Sequence, residues 1–293
     1  MKYKGREQSR NVEDRRGTSS GMPRVGGGIG CGTLVLLLLA FLVLDNPLKL
    51  LNQIDPGQGQ QQTQQNGQSQ NRGGYAQQGD ELGEFVSVVL KDTEDVWNRL
   101  FPEYFGQRYQ EPTLVLFNSV VNSGCGRASA KTGPFYCPAD GKLYVDLDFY
   151  GELKNKFKAP GDFAMAYVIA HEVGHHVQNL LGITTDVQSQ RRRISKKEYN
   201  ELSVRLELQA DFLAGVWAHH AQKSKGILDQ GDIEEAIRAA HAIGDDHIQM
   251  QSRGYLTPGD YTHGTSAQRK RWFSRGLETG DLSQGDTFKV RKL

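Results

Sequence analysis

The sequence predicts an α+β domain, mostly helical with a small sheet, preceded by one transmembrane helix. Three observations lead there. Gly26 to Leu44, "GGGIGCGTLVLLLLAFLVL", carries no charge and is just long enough to cross a bilayer as a helix. Asp55 to Asp80 is rich in Gln, Gly and Asn and almost free of apolar residues, so it cannot bury enough surface to order itself. From Glu81 onward, short strand-like runs come early and long helical runs come later, which is the α+β pattern.

The elements follow in order. Residues 1–25 form a basic segment: Lys2, Lys4, Arg6, Arg10, Arg15, Arg16 and Arg24 outnumber Glu7, Glu13 and Asp14. Residues 26–45 are the expected span. Because the basic side precedes it, the N-terminus should stay cytoplasmic and the rest should face the periplasm or the exterior. A cleaved signal peptide is disfavoured, since "DNPLKLL" follows Leu44 rather than a small-x-small site. Cys31 precedes the apolar run and does not suit a lipidated cysteine. Residues 46–80 read as a flexible linker, and 81–293 as the folded domain, large enough for one core.

Within the domain, Asp80 to Phe101 has helical spacing (Leu82, Phe85, Val86, Val89, Leu90, Val96, Trp97, Leu100) and stops at Pro102. Thr113 to Asn118 reads as a buried strand, and "GCGRASAKTGPFYCP" as a loop or hairpin. Lys142 to Tyr150 alternates, with Leu143, Val145, Leu147 and Phe149 on one face. Asp162 is a candidate N-cap for a helix ending near Gly182. A second long helix runs from about Glu198 to Lys223. A third begins where Asp232 and Glu235 suggest a capping box, and a last lies near Ser266 to Arg275.

Composition removes one class of function. With 35 Lys and Arg against 34 Asp and Glu, the net charge of +1 gives no ground for a nucleic-acid partner. Of three cysteines, Cys125 and Cys137 would share an oxidising compartment, which favours a disulfide over free thiols.

The chemistry concentrates in "AYVIAHEVGHHVQ", Ala166 to Gln178. On a helix His171 and His175 lie within about 40° of each other, one turn apart, so both imidazoles can hold one zinc ion. His176 is rotated away and becomes a neighbour. Glu172 follows the first ligand, as the general base does in an H-E-x-x-H site. The flanking residues are apolar nearly all round, and a buried Glu beside two buried His is costly unless paired or metal-bound. A catalytic zinc usually takes a third protein ligand. The extended motif fails, because Gln178 stands where Gly is needed and Leu181 where His is needed. Glu207, in "RLELQADFLAGVWAHH", is the candidate third ligand. Asp211, four residues on, would hold a ligand imidazole. His219 and His220 are rivals that read as surface residues.

These residues carry a resemblance. H-E-x-x-H followed by Glu207 and Asp211 resembles the Glu-zincin metallopeptidases. "GPFYCPADGKLYVDL", "LELQADFLAGVWA", "AIGDDHIQ" and "THGTSAQRKRWFSRG" resemble more narrowly a membrane-anchored bacterial family of neutral zinc metallopeptidases. The resemblance covers nearly all of residues 80–290. It implies a zincin-like domain that hydrolyses peptide or protein substrates through a zinc-activated water, with Glu172 as base. It implies an oxyanion-stabilising group downstream, for which His263 is the candidate with Tyr255 and Tyr261 behind it. It also implies an edge strand for the substrate, matched by Lys142 to Tyr150, with Asp146 and Asp148 facing substrate or solvent. His241 and His247 read as structural. The chain departs from the family where cysteines are common: Phe212 and Gly285 stand at those two positions, as expected if the pair is a disulfide elsewhere in the family. The alternatives are a non-catalytic metal-binding protein that keeps the fold, and an interaction module centred on the Gln-rich segment.

Overall fold

Helix α1, Glu81–Phe105, opens on Asp80, whose carboxylate accepts the Gly83 amide, and closes on Gly106 in the left-handed conformation. Its buried residues include Phe85, Val86, Val89, Leu90, Trp97 and Leu100, the face that the helical spacing predicts. The computed structural model describes residues 1–17 and 80–293. Six strands are present among them: β1 Val12–Asp14, β2 Thr113–Phe117, β3 Val120–Ser123, β4 Gly126–Ser129, β5 Phe135–Cys137 and β6 Lys142–Asp146. The main sheet has the order β1-β2-β6-β5. The first three of these run parallel, and β5 is antiparallel to β6. The β3–β4 hairpin forms a second, two-stranded sheet.

Alternation along β2 and β6 divides the sheet between two cores. Leu114, Leu116, Leu143 and Val145 join the large helical core. Val115, Phe117 and Tyr144 face the other way and pack with Val121, Ala128, Phe135 and Cys137 under the hairpin. A disulfide between Cys125 and Cys137 joins the hairpin turn to β5.

The remaining helices are α2 Phe149–Asn155, α3 Asp162–Leu180, α4 Ile183–Gln190, α5 Lys196–Lys225, α6 Asp232–Ala242, α7 Asp245–Arg253 and α8 Ser266–Thr279. Helix α3 is buried on almost every side and packs against α1, α5 and α6. Helices α5 and α8 share the most extensive contact.

The structure corrects the expected fold class. The molecule is mostly helical with two small sheets, and no helix among the described residues is long and apolar enough to cross a membrane. The expected span, 26–45, and nearly all of the expected linker lie outside the described residues. A basic segment separate from the domain was expected at residues 1–25; residues 1–17, the described part of it, are instead part of the domain. Strand β1 adds to β2 with Val12 opposite Leu114. Ser9 and Val12 are buried, and the Lys2 and Ser9 amides donate to Ile227 and Ser87 carbonyls.

Two local expectations also change. The strand at 142 stops at Asp146, whose carboxylate accepts the Ser119 and Asp148 amides and turns the chain into α2. Strand β6 lies inside the sheet, between β2 and β5, and β5 is one of its two edges, with β1 at the other. At α3 the N-cap is Gly161, with Asp162 the first helical residue. The expected Asp232–Glu235 capping box does not form. Glu235 instead accepts the Phe163 amide at 3.0 Å and so caps α3.

Candidate metal centre

Helices α3 and α5 meet at Gly174, where an added Cβ would lie 3.0 Å from the Ala210 carbonyl oxygen. That close approach sets one face of α3 against one face of α5. His171 Nε2 lies 3.2 Å from Glu207 Oε2, and His175 Nε2 lies 3.5 Å from Glu207 Oε1. The three ligand atoms fall within 4.8 Å of one another.

The other nitrogen of each imidazole is already committed. His171 Nδ1 meets Asp211 Oδ1 at 2.9 Å, and His175 Nδ1 meets Gln178 Oε1 at 2.9 Å. Both partners are acceptors, so both Nδ1 atoms donate, and Nε2 is left on each ring to bind a metal. Gln178 is oriented in turn, because its Nε2 donates to the Leu206 carbonyl and to Gln209 Oε1. Two imidazoles and a carboxylate converging through Nε2, Nε2 and Oε fit a catalytic zinc site with an open position.

Asp211 is fully buried and carries a network that sequence reading did not find. Arg269 donates from Nε to Oδ2 at 2.8 Å and from Nη2 to Oδ1 at 2.9 Å, and the Tyr167 hydroxyl donates to Oδ1 at 2.5 Å. The signals were available. Tyr167 lies one turn before His171 on the same helix face, and Arg269 shares the buried face of α8 with Trp272 and Phe273. Burial works to raise the Asp211 carboxyl, but the charges of Arg269 and His171 hold it below the usual range. Burial likewise works to lower His171, but Asp211 and the hydrogen bond to Glu207 push it up to about 9. Glu207 is held well below its ordinary value, against burial, by His175, His263 and His171.

Glu172 accepts the Tyr136 amide of β5 at 2.7 Å. Burial raises its carboxyl, opposed by the charges of His175 and His171. A raised value suits a group that must take up and release a proton. His176 points away from the ligand cluster. Its Nε2 donates to the Gln110 carbonyl at 2.6 Å, and its Nδ1 accepts from the Tyr136 hydroxyl at 3.0 Å. Asn179 donates to the same hydroxyl. His176 and Asn179 therefore fasten the edge strand to α3 beside Glu172. Burial pushes the His176 imidazole down to about 4, which suits this neutral role.

His263 is held by Asp245. Its Nδ1 lies 3.1 Å from Asp245 Oδ1, while Oδ2 accepts the amides of Thr262, His263 and Gly264. Burial works to lower His263, but the charges of Glu207 and Asp245 raise it, so the imidazole lies within electrostatic reach of Glu207. Tyr255 is exposed and Tyr261 buried. His219 and His220 bind the Leu277 and Gly280 carbonyls and tie α5 to the end of α8. A second acidic group, Asp162, Asp232 and Glu235, receives the amino group of Met1 through Asp162 and Asp232.

The chain is 47% identical over 292 residues to the uncharacterized protein YpfJ of Escherichia coli (strain K12), covering 98% of this chain and 99% of that one. It is 43% identical over 218 residues to the uncharacterized protein Rv2575 of Mycobacterium tuberculosis (strain ATCC 25618 / H37Rv), covering 71% of each. No solved structure matches it. Residues 1–288 match a family described as "Putative neutral zinc metallopeptidase", and the chain belongs to that family.

Proposed function

We propose that the chain is a zinc-dependent peptidase acting on peptide or protein substrates. The observation that carries the reading is the convergence of His171 Nε2, His175 Nε2 and Glu207 within 4.8 Å, with both Nδ1 atoms already bonded. A zinc ion held there supplies Lewis acidity toward a water and toward the scissile carbonyl. Glu172 takes the water's proton and delivers it to the leaving amine, for which its raised carboxyl is suited. His263, oriented by Asp245, donates to the oxygen that gains negative charge. Strand β5 is the sheet edge on the Glu172 side, and its Tyr136 amide donates to Glu172. An extended substrate pairing with the free side of β5 would bring its backbone to the general base.

The test is metal content and hydrolysis of an unfolded protein substrate by the full chain, beside Glu207→Ala and Glu172→Gln. The expected result is near one zinc per chain, lost in Glu207→Ala. Glu172→Gln should keep the zinc and lose at least roughly 100-fold in rate. A folded chain without tightly bound metal, or Glu172→Gln with full activity, overturns the reading.

A further inference from the structure

The first seventeen residues have a placement that bears on how the whole chain meets a membrane. Strand β1 forms a parallel ladder with β2, with Val12, Glu13 and Asp14 opposite Leu114, Val115 and Leu116. The Leu114 amide donates to the Asn11 carbonyl, and the Arg15 amide to the Leu116 carbonyl. Side chains of the segment neutralise groups that the domain buries. Asp92, 1% exposed, is paired with Arg6 and Lys225. Glu94, 3% exposed, accepts from the Ser9 hydroxyl and Asn11 Nδ2. Glu13 pairs with Lys142 of β6. Finally, Arg16 pairs with Asp80, the cap of α1, so the chain departs and returns at one corner.

Paired strands lie about 4.8 Å apart, whereas the hydrocarbon core of a bilayer is roughly 30 Å thick. A ladder of this kind, and buried carboxylates satisfied by it, cannot form between segments on opposite faces of a membrane. We propose that residues 1–17 and 80–293 share one compartment, with the first segment acting as a built-in strand of the domain. A single crossing by the apolar stretch from Gly26 to Leu44 is incompatible with that arrangement. The disulfide between Cys125 and Cys137 argues that the shared compartment is an oxidising one.

The test uses the full chain in cells, with Cys31→Ser as background. Lys4→Cys and Lys289→Cys replace side chains that are 76% and 88% exposed, one in each segment. A membrane-impermeant maleimide is applied before and after lysis. The expected result is the same labelling pattern at both positions. Labelling of one in intact cells and of the other only after lysis overturns the proposal. A second variant joins Glu13→Cys to Lys142→Cys, with a protease site inserted between residues 55 and 79. A short bis-maleimide is added to cells before cleavage. A linked species that survives denaturation supports the packing, and complete separation of the fragments overturns it. Neither readout depends on zinc or on hydrolysis, so the outcome is independent of the proposed peptidase activity.

Discussion

His171 and Asp211 meet at 2.9 Å through Nδ1 and Oδ1, and the same carboxylate is clamped by both Nε and Nη2 of Arg269. The bond fixes which nitrogen of His171 faces Glu207, and the Arg269 charge keeps the carboxylate ionised. Asp211→Asn breaks both functions, since one amide cannot serve as acceptor to Arg269 on two atoms and to His171 as well. Zinc affinity is expected to fall roughly 10–100-fold, measured by competition with a chromophoric chelator. Arg269→Met leaves a buried carboxylate without its counter-ion and should cost about 3–5 kcal/mol of stability, read by urea denaturation. An unchanged affinity in folded Asp211→Asn would deny the orienting role.

Burial raises the Glu94 carboxyl, and the hydrogen bonds from Ser9 and Asn11 offset this only in part. The folded state therefore favours the protonated form more than the unfolded state does. The sign follows from linkage: stability falls as pH rises through the ordinary glutamate value and up to the raised folded value, and stays lower above it. Glu94→Gln keeps the acceptor for Ser9 and Asn11 without the charge. The stability of the variant minus that of the parent should grow as pH rises through the ordinary glutamate range and level off above the raised folded value, measured as a difference in denaturation midpoint. A difference independent of pH would mean that Glu94 titrates as an exposed glutamate does.

Helices α5 and α8 touch backbone to backbone. A Cβ at Gly276 would lie 2.1 Å from the Phe212 carbonyl oxygen, and one at Gly215 would lie 2.1 Å from that of Phe273. This crossing sets the distance between Asp211 on α5 and Arg269 on α8. Gly276→Ala must push the helices apart, at a cost of about 1–3 kcal/mol. Because the shift opens the Asp211–Arg269 pair, zinc affinity should fall too, although residue 276 touches no ligand. Thermal unfolding and chelator competition on the one variant check both effects. Wild-type values in each would show that the crossing tolerates a methyl group.

How far the sequence could be read follows from what each signal measures. His171, His175, Glu207 and Asp211 were legible because helical spacing alone puts each pair on one face. The partner across the core, Arg269, depends on which helices meet, and that information lies in Gly215 and Gly276 rather than in any motif. Strand β6 was read too long because Leu147 and Phe149 continue the alternation. The turn is made by Asp146 accepting two backbone amides, which hydropathy does not register. Residues 1–25 were read as a basic segment apart from the domain, whereas residues 1–17 pack into it. The burial there falls on Met1, Ser9 and Val12, scattered along the segment, and is secured by Arg6, Ser9 and Asn11 bonding to carboxylates of α1, so its signature is polar pairing and not an apolar run.

Phe212 and Gly285 stand where the family resemblance puts two cysteines, and the structure sets them against each other. An ideal Cβ at residue 285 would lie 2.4 Å from Phe212 Cδ1 and 2.2 Å from Cε1. The Phe212 ring therefore occupies the space that a second side chain would need, and the C-terminal tail lies against it. Gly285→Ala alone should be destabilising by about 1–3 kcal/mol through overpacking. Phe212→Cys alone empties a fully buried ring position beside a cavity of about 450 Å³ that Phe212 and Gly285 both line, at about 3–5 kcal/mol. In Phe212→Cys/Gly285→Cys the ring is gone, and the close approach of residue 285 to the former ring position brings the two side chains together for a disulfide. The bond should form on oxidation, read as loss of both free thiols and of two hydrogens in mass. It should restore about 2–4 kcal/mol relative to the reduced form. Persistent free thiols after oxidation of the folded double variant would mean that the tail does not rest against α5 as described.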